Sequence, residues 1–410
     1  HVVVTYSDGK DPAQQFNMFV NGEVTSTTVN QSLPEVVAKA AELYPDNQYK
    51  SMTTATSYWG AFNWDRQMYA LYNDPSVSTT SKTDAQKADT KAAILNADFR
   101  RAVYAAYSAH AVEAITLGEE HADGVIRNTL IPYTFQTTSD GRAYGSIVEK
   151  YAAELVADYE GIDLNDGHDA WYNPELAKTF AERAKEELGD SVSEWPIHID
   201  VPVYAASENQ KNMQLAMKKS IEDAIGDYVV IDLQFLEGNS SVYYSSFYNQ
   251  PTGEDNSIDL VFGAGWGPDY GDPLTYLHCF DVHDGDMLNY SGINIESQGQ
   301  SEEQKAVLET LGLNEVQEIV DQATAATGDE RIELFAKAEA MLLTNGILRP
   351  YSTSGANITI SKVKPFTVAY GLYGQAAYNQ VPYFKYMQLL DEPVTAAEYE
   401  AAKEAWMAGK

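Results

Sequence analysis

The residues with the most chemistry to offer stand in one short stretch, GAGWGPDYGDP, at 263–273. An apolar run leads into it (Ile258, Leu260, Val261, Phe262, Ala264). Glycines, Trp266, Asp269, Tyr270, Asp272 and a proline follow. A surface turn needs Gly, Asp and Pro, but it does not need two aromatic rings. A carboxylate in a partly dry, aromatic-walled cleft suits an ammonium group, because pairing neutralises both charges. Glycines on either side let a ligand's backbone approach closely, and an extended ligand can add to an exposed strand edge through main-chain hydrogen bonds. Two other readings stand beside this one. Asp269 and Asp272 are the residue types a glycoside hydrolase uses as acid and base, although carboxylates three apart on one loop do not normally face each other across a substrate. The loop is also readable as a structural aromatic turn.

Other candidates are weaker. LHCFDVHDGD (277–286) gathers two histidines, a cysteine and three aspartates, which are metal-donor types. Its spacing matches no established zinc or calcium loop, and in so acidic a chain a solvated loop, including 281–286, accounts for it. His110 and His121 lie on or just beyond a helix and read as packing or surface residues. G-x-S-x-G, H-E-x-x-H and G-x-x-x-x-G-K-[ST] are absent, so serine hydrolases, zincins and P-loop proteins lack their local signals and no cofactor is expected. The single Cys279 excludes an intramolecular disulfide and a multi-cysteine metal site.

At 410 residues the chain has room for two or three domains. A formal charge of −33 repels phosphate backbones, which argues against nucleic acid and anionic membrane surfaces as partners. The 28 tyrosines outnumber the 13 phenylalanines and 6 tryptophans together. Tyrosine combines a flat apolar face with a polar tip, useful in a cleft that grips amphipathic ligands. No apolar stretch approaches the length of a membrane span. The first residue is His1 and no signal peptide precedes it, so the chain is expected to be processed, trimmed or a fragment.

The elements that must carry the 263–273 stretch alternate in type. HVVVTY (1–6) reads as a strand, and a short helix follows, capped by Asp11, striped by Phe16, Phe19 and Val20, and ended by Gly22. SYWGAFNW (57–64) is extended and aromatic, and 76–91 reads as a polar loop. Helical stripes recur at Phe99, Ala102, Val103 and Ala106, and at Ala177, Phe180, Ala181, Ala184 and Leu188 after Asn173-Pro174. Ile197, Ile199, Val201 and Val203 alternate as a half-buried strand. A helix over Met213–Ile225 and strands at 228–236 and 257–266 follow. Two late helices, 314–326 and 328–344, carry capping-box spacing at Asn314/Gln317 and Thr327/Glu330. Strand and helix alternation over 197–266 is an α/β pattern, and it puts GWGPDYG where a strand's carboxyl end meets a loop, a usual place for ligands.

Six segments, in order, resemble the extracytoplasmic oligopeptide-binding proteins of ABC importers. SYWGAFNWD is similar to that family's aromatic-x-x-x-F-N strand, NADFRRAVYAAYSAHAV to its R-x-A-l-x-x-A helix, and HADGVIRNTLIPYT to the loop before its iP. YNPELAKTFAERA, GWGPDYGDPLTYL and TGDERIELFAKAEAMLLTNGILRPY resemble three further family motifs. The tail EPVTAAEYEAAKEAWMAG is similar to the lipoprotein branch of Gram-positive bacteria.

The resemblance implies an α/β, two-lobed periplasmic-binding-protein-like fold (cluster C type), with one lobe complete and the other partial. Residues 1–63 and 351–410 would belong to lobe I and 64–350 to lobe II, with ligand held between them by a hinge motion. It implies a monomer that captures oligopeptides and hands them to the permease subunits of an ABC transporter, at the cell surface, lipid-anchored through an N-terminal cysteine that Cys279 cannot be. Carried over, Asp269 pairs with the peptide's α-amino group, with Gly265 and Trp266 beside the first peptide residues and Ala264 and Tyr270 as further ligand-binding residues. Tyr58, Phe62 and Asn63 match the other cleft strand. Some members that bind short peptides have an arginine where this chain has Gly263, which favours longer or less length-restricted peptides. Binders of oligosaccharides and metal complexes share the superfamily and remain alternatives, as does an extracellular hydrolase using Asp269 and Asp272.

Overall fold

A computed structural model describes residues 11–367 and 386–409; the strand expected at HVVVTY lies outside them. Ten strands occur among the described residues: β1 (Ser26–Thr28), β2 (Tyr49–Lys50), β3 (Ser57–Phe62), β4 (Ala70–Leu71), β5 (Asp74–Ser78), β6 (Ile197–Tyr204), β7 (Val229–Leu236), β8 (Leu260–Trp266), β9 (Arg349–Ser352) and β10 (Ile358–Ser361). They form two antiparallel three-stranded sheets, β1-β10-β2 and β8-β3-β9, and two pairs, β4-β5 and β6-β7.

Two apolar cores result. The small one joins Phe16, Phe19, Val29, Val36 and Ala40 to Ile360. Its first helix, Gln14–Val20, starts where the Asp11 carboxylate accepts the Ala13 N–H at 2.9 Å, and Gly22, at φ +76°, turns the chain out of it. The last helix, Ala396–Ala408, packs here through Tyr399, which stacks on Tyr49 at 3.9 Å. β3, β8 and β9 all belong to the large core.

In the large core, helix Glu208–Ile225 crosses between the parallel strands β6 and β7. β6 is not the half-buried strand its alternation suggests. Six of its eight residues are buried, because helix Asp84–Leu95, helix Glu208–Ile225 and β8 all pack on it. β8 leaves this parallel pair and runs antiparallel to β3, so the 197–266 pattern is shared between two sheets. The loop expected at 76–91 is likewise corrected. It contains the end of β5 and most of a helix opened by a reciprocal cap between Thr83 and Gln86. That helix buries Asp89 and Thr90 beside Ala93 and Ile94, so it shows no apolar stripe. The capping boxes expected at 314/317 and 327/330 do not form. Gly312, left-handed at φ +74°, already starts helix Leu313–Ala325, and Thr327 makes no side-chain cap.

Four buried charges fasten β8 to β6. Arg66 Nη1 lies 2.7 Å from Asp200 and 2.8 Å from Asp259, and Lys82 pairs with the same two carboxylates. Burial pushes the Asp259 carboxyl up, but Arg66 and Lys82 outweigh it and hold it below its ordinary value. With two cations against two anions and further hydrogen bonds, the cluster meets the condition under which buried charges are tolerated.

Candidate functional site

β8 is an edge strand. One side pairs with β3, and the other carries no ladder among the described residues. Gly263 on it is exposed. Tyr58 stands opposite Gly265, and an ideal Cβ on Gly265 would lie 2.5 Å from the Tyr58 ring, so glycine is what permits this approach. The Tyr58 hydroxyl is 3.0 Å from Ser354 Oγ. Trp266, half-buried, meets the His278 ring edge-on at 5.1 Å, and its indole N–H is buried without a partner among the described residues.

Past Trp266 the loop is tied down at several points. The Asp269 N–H donates to Thr275 Oγ1 at 2.8 Å, and Gln136 Nε2 donates to the Gly271 carbonyl at 2.9 Å. Asp272 accepts a bidentate pair from Arg331 at 2.9 and 3.0 Å. These contacts fix the backbone and leave the Asp269 carboxylate exposed, with no ion pair among the described residues. Tyr270 is exposed beside it. Its partial burial, with Asp272 and Asp269 adding to the effect, pushes the phenol up, so it stays a neutral donor.

The strand therefore ends in a fixed loop that displays one free carboxylate, three residues past Trp266 and one before Tyr270, beyond an unpaired main-chain edge. Asp272, with both oxygens committed to Arg331, does not form an acid/base pair with Asp269. The side chains of Phe62, Ala264 and Asn63 are buried, although Ala264 stands on β8 between Gly263 and Gly265. Phe62 is 0% exposed and packs on Tyr104, Ala264 is buried, and Asn63 spends its amide on the Asn256 carbonyl and the Asp65 N–H. Their side chains support β3 and β8 from within. In the 277–286 segment Cys279 is buried and its thiol is pushed well up by that burial, while His283 pairs with Glu296 at 2.8 Å. Among the described residues no group of three or more His, Cys, Asp or Glu has metal-binding geometry.

One lining was passed over in the sequence. A cavity of about 190 Å³ opens beside Tyr58 and Gly263, walled by helix Glu208–Ile225 and by the segment SSVYYSSFYNQ, 240–250. The signal was present as rings at 243, 244, 247 and 248, a helical spacing that also describes an ordinary core face.

These features define an α/β fold in which one strand edge, among the described residues, stays unpaired beside a fixed loop carrying a free carboxylate. Solved structures show the same fold. The substrate-binding domain of an oligopeptide ABC transporter from Bacillus anthracis superposes with a TM-score of 0.58 at 17% identity, covering 93% of this chain and 57% of that one. OppA of Listeria monocytogenes, solved bound to peptide, gives 0.57 at 15% identity over 93% and 56%. No protein-family model matches the chain. Among curated proteins it is 33% identical over 414 residues to the oligopeptide-binding protein AliB of Streptococcus pneumoniae serotype 4, covering 100% of this chain and 60% of that protein. It is 31% identical over 409 residues to the oligopeptide-binding protein SarA of Streptococcus gordonii, covering 99% and 59%. The chain is thus a homologue, along its whole length, of the streptococcal oligopeptide-binding proteins, and it spans about 60% of the length of these relatives.

Proposed function

We propose that this chain captures extracellular oligopeptides and delivers them to the permease subunits of an ABC importer. The observation that carries the reading is the open edge of β8 ending at the unpaired Asp269 carboxylate beside Trp266. A peptide added to that edge gains main-chain hydrogen bonds that every sequence shares. Its α-ammonium would meet Asp269, and closure of the small body built on β1-β10-β2 against the large one that holds β3, β8 and β9, which places the lobe boundary before β3 and not after residue 63, would take both charges from water, which is tolerable because they pair. Tyr58, Gly265 and Tyr270 complete the contact surface.

The names of the relatives support peptides over the sugars and metal complexes that the same architecture accommodates. Binding proceeds without chemistry, since the second carboxylate that hydrolysis would need is held by Arg331. No described helix is long and apolar enough to cross a membrane; a lipid-anchored monomer at the cell surface is the arrangement proposed.

The test is to expose the whole protein to a mixed peptide and oligosaccharide library, recover the bound fraction, and identify it by mass spectrometry. Intact peptides with free amino termini are expected. Recovery of oligosaccharides, or of cleaved products in the medium, would overturn the proposal.

A further inference from the structure

The cavity beside Gly263 has a composition unlike the rest of the ligand edge. Met213 and Met217 of helix Glu208–Ile225 form one wall, and Tyr243, Tyr244 and Phe247 form another. Its floor is the Tyr107–Phe262 pair, stacked at 3.9 Å and 10°. Tyr244 and Tyr248 stay 42% and 61% exposed although their rings belong to this cluster, leaving an apolar rim open to solvent. Exposed apolar rims around a concavity mark binding surfaces, and methionine walls adapt to the shape of what enters.

The polar groups here are unspent. Gln210 and Gln214 line the cavity, and the buried side-chain oxygen of each has no hydrogen-bond partner among the described residues, Gln214 being only 6% exposed. The Tyr107 hydroxyl, wholly buried, also has none. Buried polar groups are normally satisfied, so unsatisfied ones at a cavity wall point to an absent partner. No Asp, Glu, Lys or Arg lines the cavity, so a charged occupant would sit there without a counter-charge.

We infer that this cavity is a selective subsite for one aromatic ligand side chain with a hydroxyl tip, tyrosine being the residue that fits. Its ring would lie among the methionines and tyrosines. A phenol hydroxyl both donates and accepts, so it serves a glutamine amide whichever way the amide is turned. The inference rests on the peptide reading and deepens it, adding one position of side-chain selection to an otherwise sequence-tolerant edge. Gly263 precedes Trp266 by three residues on β8, so at the ~3.4 Å rise of an extended chain the selected side chain belongs to about the third or fourth ligand residue.

The experiment is calorimetry on the whole protein with alanine-serine hexapeptides in which a single tyrosine is walked through every position, repeated with phenylalanine. Tyrosine at one interior position, the third or fourth, is expected to bind roughly tenfold or more tighter than alanine there, the scale of burying one aromatic side chain. Phenylalanine should keep most of that gain. Gln214→Leu should abolish the margin of tyrosine over phenylalanine and spare that of phenylalanine over alanine. Tyr244→Ala, a change at an exposed ring, should weaken both with the circular dichroism spectrum unaltered. Hexapeptides that all bind within about threefold of one another would overturn the subsite and leave the peptide reading standing. Failure of every hexapeptide to bind would overturn both together.

Discussion

Replacing Arg66 by methionine keeps the length of the side chain and removes one of the two cations from the buried cluster that joins β6 to β8. Arg66 is 5% exposed and Asp200 and Asp259 are 0% and 1% exposed, so the charges left behind have no access to water. Two carboxylates would then share Lys82, and the carbonyls of Met68 and Thr79 would lose the guanidinium donors that now reach them at 2.9 and 3.2 Å. Breaking a buried ion pair from one side costs about 3–5 kcal/mol, a large part of a domain's total stability. The sign with pH follows from proton counting. In the variant one native carboxyl is driven up by its unpaired neighbour, so below neutrality the native state binds more protons than the unfolded chain and the deficit shrinks as pH falls. Urea unfolding at pH 7.5 and 5.0 reads both effects, and Arg66→Met combined with Asp200→Asn should recover part of the loss. A single variant within about 1 kcal/mol of the parent at pH 7.5, below even the lower bound for a broken buried pair, would refute the reasoning, as would a deficit that grows on acidification.

Three other outcomes are expected. Burial pushes the Glu339 carboxyl up to about 8, and it is neutral while it accepts the Leu130 N–H at 2.7 Å; its folded value lies above its unfolded one, so it costs stability as pH rises from about 4.3 toward 8. Glu339→Gln should remove that slope, gaining on the parent by up to about 1.4 kcal/mol per pH unit across this window, and parallel denaturation curves at all pH values would contradict it. Gly265→Ala places a Cβ 2.5 Å from the Tyr58 ring and should cost about 1–3 kcal/mol through overpacking; an unchanged urea midpoint would show that the ring gives way freely. Arg331→Met releases Asp272, a partly exposed pair, so stability should fall by less than about 1 kcal/mol while amide exchange at Asp269 accelerates; unchanged exchange there would mean the pair does not hold the loop.

Much of the architecture was legible because local signals agreed with it. The Asn173 side chain caps helix Pro174–Leu188 by accepting the Leu176 N–H at 3.0 Å, and Asn96 does the same for helix Ala97–Ala106 through the Phe99 N–H at 2.9 Å. Helix Asp84–Leu95 was not legible because its buried face is partly polar: Asp89 accepts the Ser193 N–H and hydroxyl, each at 2.7 Å, so apolar periodicity could not reveal it. The pairing of β3 with β8 joins segments about two hundred residues apart, which no local pattern encodes. Phe62 and Asn63 follow from the same gap. Four apart, Tyr58 and Phe62 would share one face of a regular strand, but the register shift between Trp59 and Gly60 breaks the alternation, and only the assembled sheet shows that Tyr58 faces the open cavity while Phe62 packs inward. The 243–248 aromatics were ambiguous in kind, since a core helix and a cavity wall show the same spacing.

The most direct test of the central claim compares Asp269→Asn with the parent by calorimetry on the whole protein, using one peptide with a free and with an acetylated amino terminus. Asparagine keeps the shape and removes the charge. Removing one partner of an ammonium–carboxylate pair that becomes buried costs about 2–5 kcal/mol, roughly 30- to several-thousand-fold in affinity. The free-amine peptide should lose that much on the variant. The acetylated peptide should bind the parent poorly and lose little more on the variant. Equal binding of the free-amine peptide by Asp269→Asn and the parent would contradict the role assigned to the carboxylate at the end of β8.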